Sequence, residues 1–207
     1  MFYNTISEPT LEILKRITAI AEFSNYYLVD GTALALQIGH RISIDLDFFG
    51  QNLLPKDKIL QSIGHISEIT ALRSSFEDSF NLYLGDLKID IIRYDYKWID
   101  DFVIQDGIRM CGLKDIAAMK ISAVGGRSTQ KDFYDIYFLL EKFTLLEMFG
   151  FFRQKYAVEN LFHYITSLTF FEEADKDVQP KMIEPLKWDT VKKRIIKEIQ
   201  ALDFNLL

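Results

Sequence analysis

The sequence predicts an α+β protein with a mixed sheet and flanking helices in its first half and only helices in its second. Short strand-like segments alternate with helix-like segments up to about residue 94. Two apolar runs at 80–94 flank a glycine-containing turn, the pattern of a β-hairpin. From Leu113 onward, apolar residues recur at helical spacing. We therefore divide the chain into an α/β half, 1–110, and a helical half, 111–207.

The first elements follow from caps and periodicity. Ser7 precedes Glu8 and Pro9, a helix-start signal, and apolar residues at helical spacing extend this helix to about Phe23. A strand at 26–29 leads into a helix at 32–38, which Gly39 ends, and into a strand at 42–49. Alternation along this strand places three apolar residues toward the core: Ile44, Leu46 and Phe48.

The remaining elements are predicted in the same way. Pro55 begins a helix that runs to Ile63, a strand covers 68–73, and Gly85-Asp86 forms the turn of the hairpin. The second half is expected to form helices at 113–124, 129–142, 144–155, 157–168 and 188–202.

Composition limits the class of protein. With 49% apolar residues among 207, the chain can bury a substantial core. A net charge of −6 argues against non-specific coating of nucleic acid. Cys111 is the only cysteine, which excludes an intrachain disulfide. No apolar run reaches the roughly 18 residues of a membrane helix, so we expect a cytoplasmic protein with no membrane partner.

Two carboxylates lie one residue apart in an apolar strand. Asp45 and Asp47 share one face of the predicted strand, and a buried carboxylate needs a partner. A third, Asp90, lies between isoleucines in the hairpin and can reach the same point from a neighbouring strand. Such a set suits Mg²⁺ in phosphoryl or nucleotidyl transfer. An Asp-x-Asp pair alone fits a structural or solvent-facing role equally well.

A glycine turn precedes the same strand. Gly31 permits close approach of a ligand to the backbone, and the helix that begins at Thr32 offers free N–H groups to a phosphate. The order strand, glycine turn, helix, Asp-x-Asp strand and third aspartate is far more specific than any of its parts.

Two blocks carry a resemblance to a known family. The stretch LVDGTALALQIGHRISIDLDFF at 28–49 resembles the first motif of the AbiEii/AbiGii toxins, a branch of the DNA polymerase beta type nucleotidyltransferase superfamily. The stretch LKDIAAMKISAVGGRSTQKDFYDIYFLL at 113–140 is similar to their helical motif. The resemblance covers roughly residues 20–200 and implies a nucleotidyltransferase-like fold.

The resemblance also implies roles for individual residues. Gly31 and Thr32 would hold the triphosphate, and Asp45, Asp47 and Asp90 would bind Mg²⁺ or Mn²⁺. Lys120 would contact nucleotide phosphate as a catalytic residue. Arg127 and Lys131 would extend the nucleotide site, together with the further candidates Asp132 and Asp135.

Each of these helical residues has a simpler interpretation. Lys120 can be a solvated lysine, whereas Lys131 and Asp132 can be charges at a helix start. Asp135 can be a structural carboxylate that holds two helices together. Arg41, a further nucleotide-binding candidate, can instead form a structural ion pair.

The implied function is that of a toxin in a bacterial toxin–antitoxin pair. Such an enzyme would transfer a nucleoside monophosphate from an NTP to RNA, including tRNA, or to protein, and would have a cognate antitoxin. The chain has Asp30 before Gly31, where the family has a small residue. An added carboxylate repels a triphosphate unless it faces away or binds the metal. The alternatives are therefore a catalytically impaired nucleotide- or partner-binding module and a metal-dependent phosphohydrolase.

Overall fold

The computed structural model describes residues 1–51, 56–76 and 79–203 and divides into two compact units. The first unit comprises Met1–Asp95 and Phe102–Cys111. The second comprises Tyr96–Asp101 and Gly112–Leu207. The described sheet belongs to the first unit, and the helices of the second follow one another from residue 113. The α+β fold class predicted from the sequence is confirmed.

The first unit is built on a mixed sheet of seven described strands: β1 Tyr26–Leu28, β2 Leu46–Gly50, β3 Ala71–Phe76, β4 Ser79–Leu84, β5 Leu87–Arg93, β6 Val103–Gln105 and β7 Ile108–Met110. They lie in the order β3-β4-β5-β2-β1-β7-β6. Strand β2 is central, antiparallel to β1 and parallel to β5.

Three helices accompany this sheet: α1 Glu8–Thr18, α2 Asp30–Ile38 and α3 Lys56–Gly64. Ser7 caps α1 as predicted, since its hydroxyl accepts from the backbone N–H of Thr10 at 3.2 Å. Helix α2 ends at Gly39, which adopts a left-handed conformation with φ 74°. The predicted start of α3 at Pro55 lies outside the described residues.

The strand predicted at 42–49 is shorter than expected. It begins only at Leu46, because the preceding segment is held by other bonds: the N–H of Ser43 donates to the carbonyl of Thr5 at 2.8 Å. The prediction that Ile44 faces the core is wrong, since 70% of its surface is exposed. Leu46 and Phe48 are buried as expected.

Strands β6 and β7 form a hairpin that the sequence analysis missed. Asp106 and Gly107 occupy its turn with φ values of 51° and 80°. An Asp-Gly pair with two positive φ angles is typical of a tight hairpin, but the flanking runs are only three residues long.

The second unit contains five described helices: α4 Leu113–Gly126, α5 Gln130–Leu139, α6 Leu145–Tyr156, α7 Phe162–Ser167 and α8 Trp188–Gln200. Buried Asp115 on α4 ties segment 96–101 to them. It accepts from the backbone N–H of Asp100 at 2.9 Å and from Lys155 Nζ on α6 at 2.6 Å. None of the described helices is both long and apolar enough to cross a membrane.

Candidate active site

Three polar side chains form a row across one face of the central sheet. Asp47 on β2 pairs in register with Asp90 on β5, and Asp90 pairs in register with Asn81 on β4. Directly paired positions on neighbouring strands place their side chains on the same face. The structure therefore brings Asp47 and Asp90 together, with Asn81 beside them. We call Asp47, Asp90 and Asn81 the polar row.

Asp47 lies in a strongly acidic environment. Burial raises the pKa of its carboxyl from 3.8 to about 7, and the negative charges of Asp30, Asp90 and Asp45 act in the same direction. Only the charge of Lys88 opposes them among the causes of this shift. A carboxylate with such a raised pKa is expected at a site that receives a cation, since the cation would supply the missing positive charge.

Lys88 brings a positive charge to this face. It lies two residues before Asp90 on β5, and its Nζ atom is 2.6 Å from Asp90 Oδ2. Burial alone would lower the pKa of Lys88, but its hydrogen bond with Asp90 and the charges of Asp90, Asp47 and Asp45 raise it. The ammonium is therefore within electrostatic reach of all three predicted metal-binding aspartates.

Two oxygens of the polar row are buried without a hydrogen-bond partner among the described residues: Asp90 Oδ1 and Asn81 Oδ1. A buried acceptor that lacks a donor costs about 1 to 3 kcal/mol. Both atoms lie on neighbouring, directly paired residues. A cation, or a donor that it carries, would satisfy them.

The donors of this face suit Mg²⁺, although within the described part of the chain no three carboxylate, histidine or cysteine side chains form a ready-made metal cluster. Mg²⁺ commonly takes only one or two protein carboxylates and completes its shell with water and substrate phosphates. The Asp47–Asp90 pair, with its unsatisfied Oδ1 atom, fits that manner of binding.

Asp45 lies just before β2 and is positioned through its backbone. The hydroxyl of Thr32 donates to the carbonyl of Asp45, and its oxygen lies 2.8 Å from Ser43 Oγ, within hydrogen-bond distance. Thr32 is almost fully buried on α2. Its side chain therefore joins the start of α2 to the residues that lead into β2.

Gly31 leaves room for a contact that the sequence did not reveal. A Cβ atom at this position would lie 2.2 Å from Nη2 of Arg41. The guanidinium of Arg41 is buried, and its Nη1 donates to the carbonyl of Ile42 at 3.2 Å. Arg41 thus lies against the first turn of α2 and supports the segment before β2.

Asp30 occupies a backbone conformation that favours glycine. Its φ angle is 54°, in the left-handed region, where aspartate is tolerated better than most residues. Its charge raises the pKa of Asp47. The extra carboxylate that the sequence analysis singled out therefore acts on the acidic site electrostatically.

Three of the residues predicted in the second unit form a buried cluster. Lys120 on α4 lies 2.9 Å from Asp132 Oδ1 and 2.7 Å from Asp135 Oδ2, both on α5. All three side chains are fully buried. Lys120 is therefore not a solvated lysine, and its contacts join α4 to α5.

Arg127 completes the same cluster. Its Nε and Nη2 atoms donate to Asp132 at 2.9 and 3.1 Å, while 48% of its side chain stays exposed. Burial would raise the pKa of Asp132, but Lys120 and Arg127 hold it well below the ordinary value. Lys131, which precedes Asp132 in the chain, is half-buried. The nucleotide-binding roles of Lys120, Arg127 and Lys131 stay predictions.

Sequence reasoning assigned no role in the site to two residues of the acidic face, Lys88 and Asn81. The signal for Lys88 was present, because residues two apart on a strand share a face and Asp90 was already a candidate. Asn81 could be found only from the strand register, which sets it opposite Asp90.

Comparison with known proteins agrees with this architecture. A family model described as nucleotidyl transferase AbiEii toxin, type IV TA system, matches residues 12–206. A protein of Aquifex aeolicus (strain VF5) with no described function is 34% identical over 196 residues, which cover 90% of this chain and 94% of that protein. The chain belongs to the AbiEii nucleotidyl transferase toxin family.

Solved structures show the same fold at low sequence identity. JHP933 from Helicobacter pylori is 16% identical, with a TM-score of 0.60 over 94% of this chain and 92% of that one. The nucleotidyltransferase toxin MenT4 from Mycobacterium tuberculosis H37Rv is 10% identical, with a TM-score of 0.53 over 96% and 84%. At these identities the likeness establishes the fold alone.

Proposed function

We propose that this chain is the toxin of a toxin–antitoxin pair and transfers a nucleoside monophosphate from an NTP to an RNA or protein hydroxyl, with Mg²⁺ or Mn²⁺ as cofactor. The observation that carries the proposal is the in-register pair of Asp47 and Asp90 on parallel strands, with a raised Asp47 pKa and an unsatisfied Asp90 oxygen. Family membership supports the reaction type.

The first unit supplies the groups that such a transfer needs. Asp45, Asp47 and Asp90 would hold the metal, whose charge offsets that of the triphosphate and of the leaving pyrophosphate. The first turn of α2, at Gly31 and Thr32, offers backbone N–H groups to phosphate oxygens.

The bond changes are those of an in-line displacement. The acceptor hydroxyl oxygen bonds to the α-phosphorus, the bridging bond to the β-phosphate breaks, and pyrophosphate leaves. Asp90 is the proposed base that takes the hydroxyl proton, since its Oδ1 atom has no other hydrogen-bond partner among the described residues.

From the family resemblance we infer that Arg127 and Lys120 of the second unit would contact nucleotide phosphate. Arg127 can contact phosphate while it stays bonded to Asp132, because half of its side chain is exposed. Lys120 would have to leave Asp132 or Asp135 to do so. We therefore expect Arg127→Met to weaken nucleotide binding more selectively than Lys120→Met, which would also destabilise the fold.

A second candidate is the impaired module that binds nucleotide without transfer. Asp30 favours it, because its charge adds to the negative field at Asp47, where a triphosphate would have to bind. This candidate predicts binding of nucleotide and metal with no turnover.

The test is transfer of label from each NTP, labelled at the α-phosphate, into total bacterial RNA and total protein in the presence of Mg²⁺. Wild type and Asp47→Asn are compared, and the nearly isosteric change removes one metal-binding charge. Label that moves into a macromolecule only with wild type identifies the nucleotide and the acceptor class.

The remaining outcomes separate the rivals. Nucleotide binding with no transfer of label supports the impaired module. Breakdown of the NTP with no labelled macromolecule indicates a phosphohydrolase. Equal transfer by wild type and Asp47→Asn contradicts the proposed site.

A further inference from the structure

Lys88 has a position that neither the predicted metal set nor the predicted nucleotide set explains. Its Nζ atom lies 2.6 Å from Asp90 Oδ2, the oxygen beside the unsatisfied Oδ1. Only 35% of the Lys88 side chain is exposed, and that of Asp90 only 18%. A partly desolvated lysine–carboxylate pair therefore lies in the row of groups that would receive a metal ion.

The ammonium lies on the acidic face, not against an isolated carboxylate. Lys88 Nζ contacts Asp90, and Asp90 pairs in register with Asp47 on the neighbouring strand. Lys88 thus partly does what a divalent cation would do at this place: it offsets the mutual repulsion of the carboxylates.

We propose that Lys88 holds the place of the cation beside Asp90 while no metal is bound, and that it passes to the triphosphate when metal and nucleotide bind. This inference rests on the proposed function, since it assigns a further residue to the same site. It makes Lys88 a competitor of the metal in the free protein and a contact of the substrate in the complex.

The charge and the length of the Lys88 side chain suit both proposed positions, beside Asp90 and beside the triphosphate. A divalent ion neutralises the carboxylates more completely than one ammonium, so Asp90 would lose its need for Lys88 when metal binds. Lysine carries its charge on a flexible four-carbon stem with three donors, which suits a move from one oxygen ligand to another. The triphosphate brings new negative charge to the same face of the sheet.

A purely structural role for Lys88 predicts the opposite effect on metal binding. If the lysine only oriented Asp90 for the metal, its removal would misplace a ligand and weaken binding. If it competes with the metal, its removal frees Asp90 Oδ2 and strengthens binding in the absence of nucleotide. The sign of the change therefore separates the two roles.

The experiment titrates Mn²⁺ alone into the full chain and follows free Mn²⁺ by electron paramagnetic resonance. The proteins are wild type, Lys88→Met, Lys88→Arg and the control Lys58→Met, which changes an exposed lysine on α3. Nucleotide binding is then measured for each protein at saturating Mn²⁺, and circular dichroism checks that each variant is folded.

Competition predicts that Lys88→Met binds Mn²⁺ roughly tenfold more tightly than wild type and binds nucleotide roughly tenfold more weakly. Lys88→Arg keeps the positive charge, so its affinities for Mn²⁺ and for nucleotide should lie closer to those of wild type than to those of Lys88→Met. Lys58→Met should match wild type in both. Unchanged or weaker Mn²⁺ binding by folded Lys88→Met overturns the inference, as does unchanged nucleotide binding.

Failure of the proposed function would look different. In that case wild type would transfer no label. If it also bound no Mn²⁺, the inference about Lys88 would fall with the proposed function. If it bound Mn²⁺ and nucleotide without transfer, the two titrations would still decide the role of Lys88. Metal binding and transfer by wild type, with Lys88→Met unchanged, would overturn the role of Lys88 alone.

Discussion

The two units bury aspartates in contrasting ways. In the second unit, Lys120 contacts both Asp132 and Asp135, and Lys155 contacts Asp115; all five side chains are fully buried. In the first unit, the charges of three aspartates raise the pKa of Asp47, and among the causes of this shift only Lys88 opposes them. The same residue type thus joins helices in one unit, whereas in the other Asp47 lies in a field that is mainly negative.

The pKa values express this difference. That of Asp132 lies below its ordinary value because Lys120 and Arg127 outweigh the effect of burial. That of Asp47 rises to about 7 because burial and like charges act together. Electrostatically satisfied carboxylates stabilise a fold, whereas unsatisfied ones lower stability and favour binding of a cation.

The largest expected effect is a loss of stability when the buried cluster of Lys120, Asp132 and Asp135 is broken. Asp132→Asn removes the charge that faces Lys120 and Arg127, and loss of one partner of a buried ion pair costs about 3 to 5 kcal/mol. Urea denaturation measures the free energy of unfolding. Glu159→Gln is the control, since Glu159 forms an exposed pair with Arg153 and should cost less than about 1 kcal/mol.

A wild-type stability for Asp132→Asn would contradict the contrast between the two units. If Asp132→Asn unfolds at the wild-type urea concentration but loses nucleotidyl transfer, the carboxylate serves the reaction and not the fold.

The second expected effect concerns the pH dependence of stability, which should have opposite signs for Asp47 and Asp132. Because the pKa of Asp47 is about 7 when folded and near its ordinary 3.8 when unfolded, the native state binds more protons between those values. Its contribution to stability therefore falls as the pH rises through this window. Asp47→Asn removes this loss, so its stability relative to wild type should rise from about pH 4 to about pH 8.

Asp132 should behave oppositely. Because the pKa of Asp132 is lower in the folded protein than in the unfolded chain, its ionised carboxyl stabilises the native state at any pH above the ordinary aspartate pKa. This stabilisation is lost as the pH falls below that pKa. The deficit of Asp132→Asn should therefore shrink in acid. Urea denaturation from about pH 2 to about pH 8 measures both curves, and parallel curves for the two variants would show that the sites do not differ.

The smallest effect concerns Asp30. Asp30→Asn removes one negative charge and keeps a side chain that tolerates a φ of 54°. If Asp30 only repels the triphosphate, the affinity for the Mg²⁺–NTP complex should rise roughly fivefold, equivalent to about 1 kcal/mol. Titration calorimetry measures this change, with Asp106→Asn as control, since Asp106 has a φ of 51°. A lower affinity would instead indicate that Asp30 binds the metal.

Much of the fold followed from local signals. Ser7 and Gly39 marked helix ends, and Gly85 marked the β4–β5 hairpin, because caps and turns depend on a few neighbouring residues. The β6–β7 hairpin escaped prediction because its strands are too short for alternation to register. The prediction for Ile44 failed because Ser43 donates its backbone N–H to Thr5 and not to a neighbouring strand, so strand alternation does not extend back to Ile44. This contact joins distant parts of the chain and leaves no local signal in the sequence.

The site was predictable only in part for the same reason. Asp47 and Asp90 could be chosen from apolar flanks and strand alternation, and the structure pairs them. The contact of Arg41 with Gly31 and the pairing of Asn81 with Asp90 depend on tertiary structure and strand register, which one sequence does not specify.

The most direct test of the central claim measures binding of a non-hydrolysable NTP analogue with Mg²⁺ at about pH 8, where the carboxylates are ionised. Wild type and Asp47→Asn are compared by titration calorimetry, with Glu159→Gln as control. We predict Mg²⁺-dependent binding to wild type and Glu159→Gln and a loss of at least roughly tenfold in Asp47→Asn. Equal affinity in all three proteins would contradict the assignment of Asp47 to the nucleotide and metal site.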